Sequence, residues 1–547
     1  MKEAFPIMKK VLALVLALSL MLVATSAMAL ELKSGADTYP LGSDKTITWY
    51  SQDSHNIHTD FADWHDSPFH VNISKQIGVN IEWVLPTTGA NGATFTNTLM
   101  ADPANLPNIM EAYFMNNAQQ YLDDEVIWDL TPYIQEYAPA YYAFLQSNPA
   151  YDKAMKTDDG RYYAFGFFRE DGGWNDSYQG PVVRQDWLEE CGLEIPKTIS
   201  EFENVIRVFK EKYDAVFTFS FGNRFSQMGL SGAFGAYGNV NEGYLFYVDD
   251  GKVGIAQTTD EYRNWVRWFS GIYKEGLVDT DFLTVDDTTV KTKVETGLSG
   301  IAMTSMGQMN LWNNEMEAAG NGRPWIGIPY PTADDGSLYS IFGGSGIGSI
   351  TGVITKSADE ETMKLCLQAL DYAYTAEGFL FWNYGIEGES WEMNPETGLP
   401  KWTPLVADDK SSDPMIKYNG TTWSGSCIQA TNLLYLKNSQ ASIDANDAWF
   451  YLGMGRDTTE LDKVAEITSG HKWPTGVTFT TEEADELDLY SANLGTYVVE
   501  QCTSFLVGNK DINDDAEWKA FIDGLEQYKA SRVIEIRQNC YDRYLSR

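Results

Sequence analysis

Histidine is scarce in this chain, five in 547 residues, and basic residues are outnumbered, with 39 lysines and arginines against 77 aspartates and glutamates. The formal net charge of −38 makes a surface that repels phosphate backbones and anionic lipid headgroups, so nucleic acid and peripheral membrane binding are not expected. Cysteine is sparse too. Cys191, Cys366, Cys427, Cys502 and Cys540 lie far apart, form no C-x-x-C pair and are odd in number, which excludes a disulfide framework. No cysteine precedes Cys191, so a lipid-acceptor cysteine near the start is missing.

Long apolar runs are also lacking, with one exception. Lys9 and Lys10 precede the run Val11 to Ala24, which Ala27-Met28-Ala29 follows. This has the form of a secretory signal cut after Ala29, with 1–29 the signal peptide and 30–43 a short linker. No other stretch approaches the ~20 apolar residues of a spanning helix. The expected product is exported, periplasmic or extracellular. Several motifs are absent as well. FGGSGIGSITG (342–352) meets neither G-x-x-x-x-G-K-[ST] nor G-x-G-x-x-G, and close strand packing explains its glycines better than a phosphate. Neither G-x-S-x-G nor H-E-x-x-H occurs.

What is present is enough chain for two hydrophobic cores, since one core rarely serves more than about 250–300 residues. DKTITWYS (44–51), QIGVNIEWVLP (76–86) and LPNIMEAYF (106–114) read as strands with helical patterns between them, the mark of βαβ units and a mostly parallel sheet. Ligands of such sheets sit beyond the carboxyl ends of the strands. Thr198 and Glu201 form a capping box before Phe202, Val205, Ile206 and Phe209. Tyr262, Trp265, Val266, Phe269, Ile272 and Tyr273 make one helical stripe stopped by Gly276. Ser357 and Glu360 read as the box of a further helix ending at Gly378, and Asp514 as the cap of the last region.

Four of the five histidines, His55, His58, His65 and His70, fall with four aspartates in Ser51–His70. Zinc needs three or four convergent ligands at tight spacing, whereas these are spread over a segment broken by Pro68, so no metal and no cofactor is expected there. DINDDAEWKAFI (511–522) has oxygen ligands at positions 1, 3 and 5 of an EF-hand loop but Ala516 in place of glycine and Ile522 in place of glutamate. Aromatics are the positive signal: 17 Trp, 31 Tyr and 26 Phe. Trp64, Trp174, Trp312 and Trp423 sit among Gly, Asn, Asp and Ser in apparent loops, where exposed rings suit the C–H faces of sugars and neighbouring polar groups suit their hydroxyls.

VVRQDWLEECGLEIPKTISEFENVIRVFKEKY (182–213), YKEGLVDTDFL (273–283), YGIEGESW (384–391) and the ending from VGNKDINDDAEWKAFIDGLEQY resemble the extracellular solute-binding proteins of family 1, the maltose-binding-protein-like components of ABC importers. The resemblance implies an α/β, two-lobe periplasmic-binding-protein fold of type II, each lobe a mostly parallel sheet flanked by helices, with the ligand cleft between lobes. It assigns 44–167 plus 345–400 to lobe one and 174–340 plus 415–547 to lobe two, with crossings near 168–173, 341–344 and 401–414. It implies a monomer that binds a carbohydrate, an oligosaccharide in relatives with so long a C-terminal region, and delivers it to membrane permease subunits without chemistry. Ligand contacts are then expected from Asp53, His55 and Trp64 after the first strand, Tyr113 at the end of the third, and Trp174, Trp312 and Trp423. Arg184 and Glu387 are candidates that could equally be structural. The rivals are a secreted glycoside hydrolase or lyase, which would need two carboxylates across a scissile bond such as Asp53 with Glu387, and a metal-binding receptor of the same fold.

Overall fold

The computed structural model describes residues 32–52, 66–86, 92–169, 179–220, 230–236, 246–336, 346–396, 398–409, 417–418, 426–430, 448–449 and 473–547. Its first sheet has six strands in the order Ile428–Gln429, Phe165–Arg169, Ile347–Ile354, Ile109–Ala112, Thr46–Ser51, Asn80–Val84. Thr46–Ser51 runs parallel to both of its neighbours, with Trp49 level with Trp83 on one side and Ile109 on the other. Parallel neighbours need a crossover. The helix Pro68–Ile77 supplies it, started by Ser67, whose hydroxyl accepts from the His70 N–H, and ended by Gly78 at φ 78°. Its buried face, Phe69, His70, Ile73 and Ile77, packs on the sheet, and Trp49 stacks on Trp83 at 5.2 Å.

The second sheet has four strands in the order Trp325–Gly327, Gln179–Arg184, Ile301–Ser305, Phe217–Thr218. Among the described residues only Phe217–Thr218 is parallel to its neighbour, so this sheet departs from the mostly parallel arrangement expected of both lobes. Part of the cause is topological. Gln179–Arg184 is the first strand after Phe165–Arg169 of the first sheet and Trp325–Gly327 the last before Ile347–Ile354, and an entering and a leaving strand side by side run antiparallel, which accounts for that one pair and not for Gln179–Arg184 with Ile301–Ser305. The same holds in the first sheet, where Ile347–Ile354 returns antiparallel to both Phe165–Arg169 and Ile109–Ala112. Glycine is required in that returning strand. A Cβ at Gly348 would strike the Phe167 ring and one at Gly352 the Ser426 hydroxyl, which is the close packing expected of FGGSGIGSITG.

Each sheet has its own core. One gathers Ile47, Trp49, Ile109, Phe165, Val353 and Leu370, the other Val182, Phe202, Trp265, Ile301, Trp325 and Phe521. Two elements differ from the sequence reading. Ile428–Gln429 pairs parallel with Phe168 and Arg169 on the first sheet, although 415–547 was assigned to lobe two. The stretch read as a linker is, from Leu32 on, packed against the first core: Ser34 and the Gly35 N–H donate to Glu377 at 2.6 and 2.7 Å, and the Tyr39 hydroxyl donates to the Gln368 carbonyl at 2.6 Å. Beyond the first sheet, the hairpin Trp391–Met393 with Pro400–Trp402 encloses a small cluster of Tyr384, Trp391 and Trp402. Among the described residues no helix is long and apolar enough to cross a membrane, and Cys191, Cys366, Cys502 and Cys540 form no disulfide.

Candidate ligand-binding site

Ser51, the last residue of its strand, lies level with Glu111, and Tyr113 follows directly on Ala112, the last residue of the neighbouring strand. Ile347–Ile354 begins at this same end, with Ile347 opposite Phe168, which brings Ser349 beside Tyr113. Here a pocket of about 180 Å³ opens, lined by Tyr113, Met115, Asn116 and Ser349 from the first lobe and by Trp473, Pro474, Thr475 and Gly476. Tyr113 is 61% exposed, unusual for so large a ring. Trp473 packs on the second core, 6.1 Å from Phe246, with the Arg537 guanidinium 5.2 Å from its ring centroid. The pocket therefore lies where the two cores meet, beyond the carboxyl ends of the parallel strands.

The wall that carries Trp473 is fixed from behind. Gly476, at φ 96°, sits so close to Ala154 that a Cβ would come within 2.7 Å of that residue's own Cβ. The Phe479 N–H donates to the Asn116 carbonyl at 3.0 Å. Thr480 then starts the helix Thr481–Leu506 with a capping box to Glu483. Burial pushes the Glu483 carboxyl up, but hydrogen bonds from Arg543, at 2.8 and 2.5 Å, and from the Thr480 N–H outweigh it and hold the group below the usual range.

Among the described residues, two aromatic rings, three hydroxyls (one of them the Tyr113 phenol), an amide and a thioether line this pocket, with no carboxylate and no cationic side chain. Such a lining can stack on apolar ring faces and exchange hydrogen bonds with hydroxyls. The pair of carboxylates that glycoside cleavage requires is not among the described lining residues.

Of the sequence candidates, Tyr113 is in the pocket. Trp312 is not: it is 1% exposed in the second core, edge-on to Trp325 at 5.4 Å, within the helix Met306–Ala318. Asn313 fixes that helix by bonding both the N–H and the carbonyl of Trp325. The asparagines around Trp312 suggested a loop, whereas Met306, Met309, Trp312 and Met316 repeat at helical spacing, the signal that would have placed it. Arg184 is bidentate to Asp186 at 2.8 and 2.5 Å and lies over Trp187, a local pair at a helix start that neither lines the pocket nor ties the lobes. Glu387 is exposed in the turn before Trp391, away from the pocket. Asp53, His55, Trp64, Trp174 and Trp423 lie outside the described residues. So do His58 and His65, while His70 is buried with its Nδ1 2.6 Å from the Ser67 hydroxyl and its ring edge-on to Trp83. Among the described residues no group of three or more His, Cys, Asp or Glu could hold a metal. In 511–522, Asp514 caps a helix by accepting from the Ala516 N–H. Sequence reasoning missed Trp473, although HKWPTG meets the loop-aromatic criterion. Nothing local marks Met115, Asn116 or Ser349.

No family model matches the chain. It is 22% identical over 541 residues to the fructooligosaccharide ABC transporter substrate-binding protein FusA of Streptococcus pneumoniae, covering 93% of this chain and 92% of that one. It is 24% identical to lipoprotein LipO of Bacillus subtilis over 77% of each chain. Among solved structures it superposes on the alginate-binding protein AlgQ2 without calcium ion with a TM-score of 0.73 at 21% identity, over 91% of this chain and 99% of that one. On FusA in complex with kestose the TM-score is 0.68 at 21% identity, over 92% and 100%. By fold the chain shares the two-lobe architecture of these solved solute-binding proteins. Its sequence is similar, over nearly its whole length, to the substrate-binding components of ABC transporters, in keeping with the family-1 resemblance.

Proposed function

We propose that this protein captures an oligosaccharide between its lobes, with Tyr113 and Trp473 as facing walls, and hands it chemically unchanged to the permease of an ABC importer. The observation that carries this is a pocket walled by aromatic rings, with no ionised side chain among its described lining residues, at the junction of two cores. FusA, matched over nearly its whole length, and LipO, matched over 77% of its own, support the reading, the first of them named as a fructooligosaccharide ABC transporter protein. The protein is exported after removal of 1–29 and acts as a monomer. The Tyr113 side supplies the first surface for the sugar and the second lobe completes it.

The test is incubation of the mature protein with kestose, nystose, maltotriose, Man5GlcNAc and trigalacturonic acid, with binding followed by calorimetry and products by chromatography. Stoichiometric binding of at least one sugar with no new product supports the proposal. Time-dependent cleavage that disappears on changing one carboxylate would make the protein a hydrolase or lyase instead.

A further inference from the structure

Arg547 has an unusual set of partners. Its Nε donates to Asp158 Oδ1 at 2.7 Å and its Nη1 to the Lys156 carbonyl at 2.7 Å. The same Nη1 reaches the Gly476 carbonyl at 3.2 Å and the Lys153 carbonyl at 3.4 Å, and Nη2 donates to the Thr478 hydroxyl at 2.5 Å. Arg543, one helical turn earlier, gives its Nε to the other oxygen of Asp158 at 2.7 Å and its two Nη atoms to Glu483. Both arginines are carried by the chain end that follows Val533, Ile536 and Cys540, all in the second core, whereas Ala154 and Met155 beside their acceptors belong to the first. Gly476 itself lines the pocket, and Trp473 stands three residues before it.

We propose that the Arg543–Asp158–Arg547 clasp is a positioning device for the binding site, holding the Trp473–Gly476 wall at its working distance from Tyr113 without touching the ligand. Arginine suits the task. Its planar fork can bond several acceptors at once in one fixed plane, and here those acceptors are the first lobe's backbone, its Asp158 and the back of the wall. Neither ring has a covalent reason to face the other, since Tyr113 follows a strand of the first sheet while Trp473 is packed on the second core. The wall's hydrogen bonds to the first lobe are therefore what sets the gap. Without Arg547 the wall keeps its packing on Phe246 and Ala154 and the Phe479–Asn116 bond but loses the arginine's hydrogen bonds that bridge it to 153–158, so each sugar contact must be re-formed by ordering a looser segment.

This inference rests on the reading of the pocket as a sugar site, and a double-mutant cycle separates the two. The variants are Arg547→Ala, Trp473→Ala and both together, titrated with whichever sugar of kestose, nystose, maltotriose and Man5GlcNAc binds the wild type best, with melting measured alongside. Trp473→Ala should weaken binding. Arg547→Ala should weaken it about three- to thirtyfold in the wild-type background and add little in the Trp473→Ala background, because its effect passes through that ring. Thr478→Val, which removes one acceptor at nearly constant volume, should show the same non-additivity with a smaller loss, and it carries the test if Arg547→Ala fails to fold. Wild-type affinity in Arg547→Ala, or a loss that adds fully to that of Trp473→Ala, would overturn the clasp while leaving the site intact. Wild-type affinity in Trp473→Ala would overturn the site, and the clasp with it.

Discussion

Trp312 and Trp473 both stand among polar neighbours in the sequence, yet one is sealed between a helix and a strand and the other faces a pocket. The difference lies in what surrounds each ring on its own element. Trp312 shares a helical stripe with Met306, Met309 and Met316, so its face was decided locally. Trp312→Ala should lose about 3–5 kcal/mol of stability through lost burial and a cavity, read by denaturant titration, whereas a ligand-facing tryptophan would leave the midpoint near wild type. Asp371 invites a second test. Burial raises its carboxyl to about 7, against the opposing pull of the Tyr141 and Ala140 N–H groups, the Tyr39 hydroxyl and Lys33. A carboxyl raised in the folded state adds stability fully present below its unfolded value near 4, and that contribution is lost as pH rises through about 7. Stability should fall with pH across this window by an amount on the order of 1 kcal/mol per pH unit from this group. Asp371→Asn should flatten the slope, and an unchanged slope would mean that Asp371 is already ionised near pH 4.

At the scale of elements, the local signals worked where one residue had one role to fill. Thr198 with Glu201 forms the expected capping box, and Tyr262, Trp265, Val266, Phe269 and Ile272 are the buried stripe, with Tyr273 partly buried beside them. The first three strands lie inside their expected spans, because alternation and flanking turn residues are short-range information. Competition between neighbours was harder to read. Ser357 looked like a cap, but its hydroxyl is engaged by Thr355 and Asn108, and Asp359 caps the helix Glu360–Asp371 by accepting from the Thr362 N–H. Gly378 ends nothing. It lies in the first turn of the helix Ala376–Tyr384, pressed on the Tyr372 carbonyl where no Cβ fits. The box of Thr480 and Glu483 begins the helix behind the pocket, and Thr480→Ala should destabilise by about 1 kcal/mol. Since Arg543 and the cap hold Glu483 below its ordinary 4.5, its contribution is present above that pH and lost as pH falls through the depressed value. Glu483→Gln should remove this part of the acid limb, and an acid limb identical to wild type would contradict the assignment.

The whole molecule shows what sequence reading could and could not reach. Length and hydrophobic content called for two cores, and the strand–helix–strand pattern placed the site beyond the carboxyl ends of the first sheet, where Tyr113 is found. Which distant segments return to that end was not legible. The strand Ile428–Gln429 joins the first sheet, and Trp473–Gly476 completes the pocket, through pairings set by tertiary packing alone. The central claim is that one sugar binds between Tyr113 and Trp473. Calorimetric titration of wild type, Tyr113→Ala and Trp473→Ala with kestose and the other panel sugars tests it most directly. The account predicts one sugar per chain, recovered unaltered, with each alanine variant weaker by about 1.5–3 kcal/mol, roughly tenfold to a hundredfold, and little change in melting. Wild-type affinity in both variants, or no binding to any oligosaccharide, would contradict it.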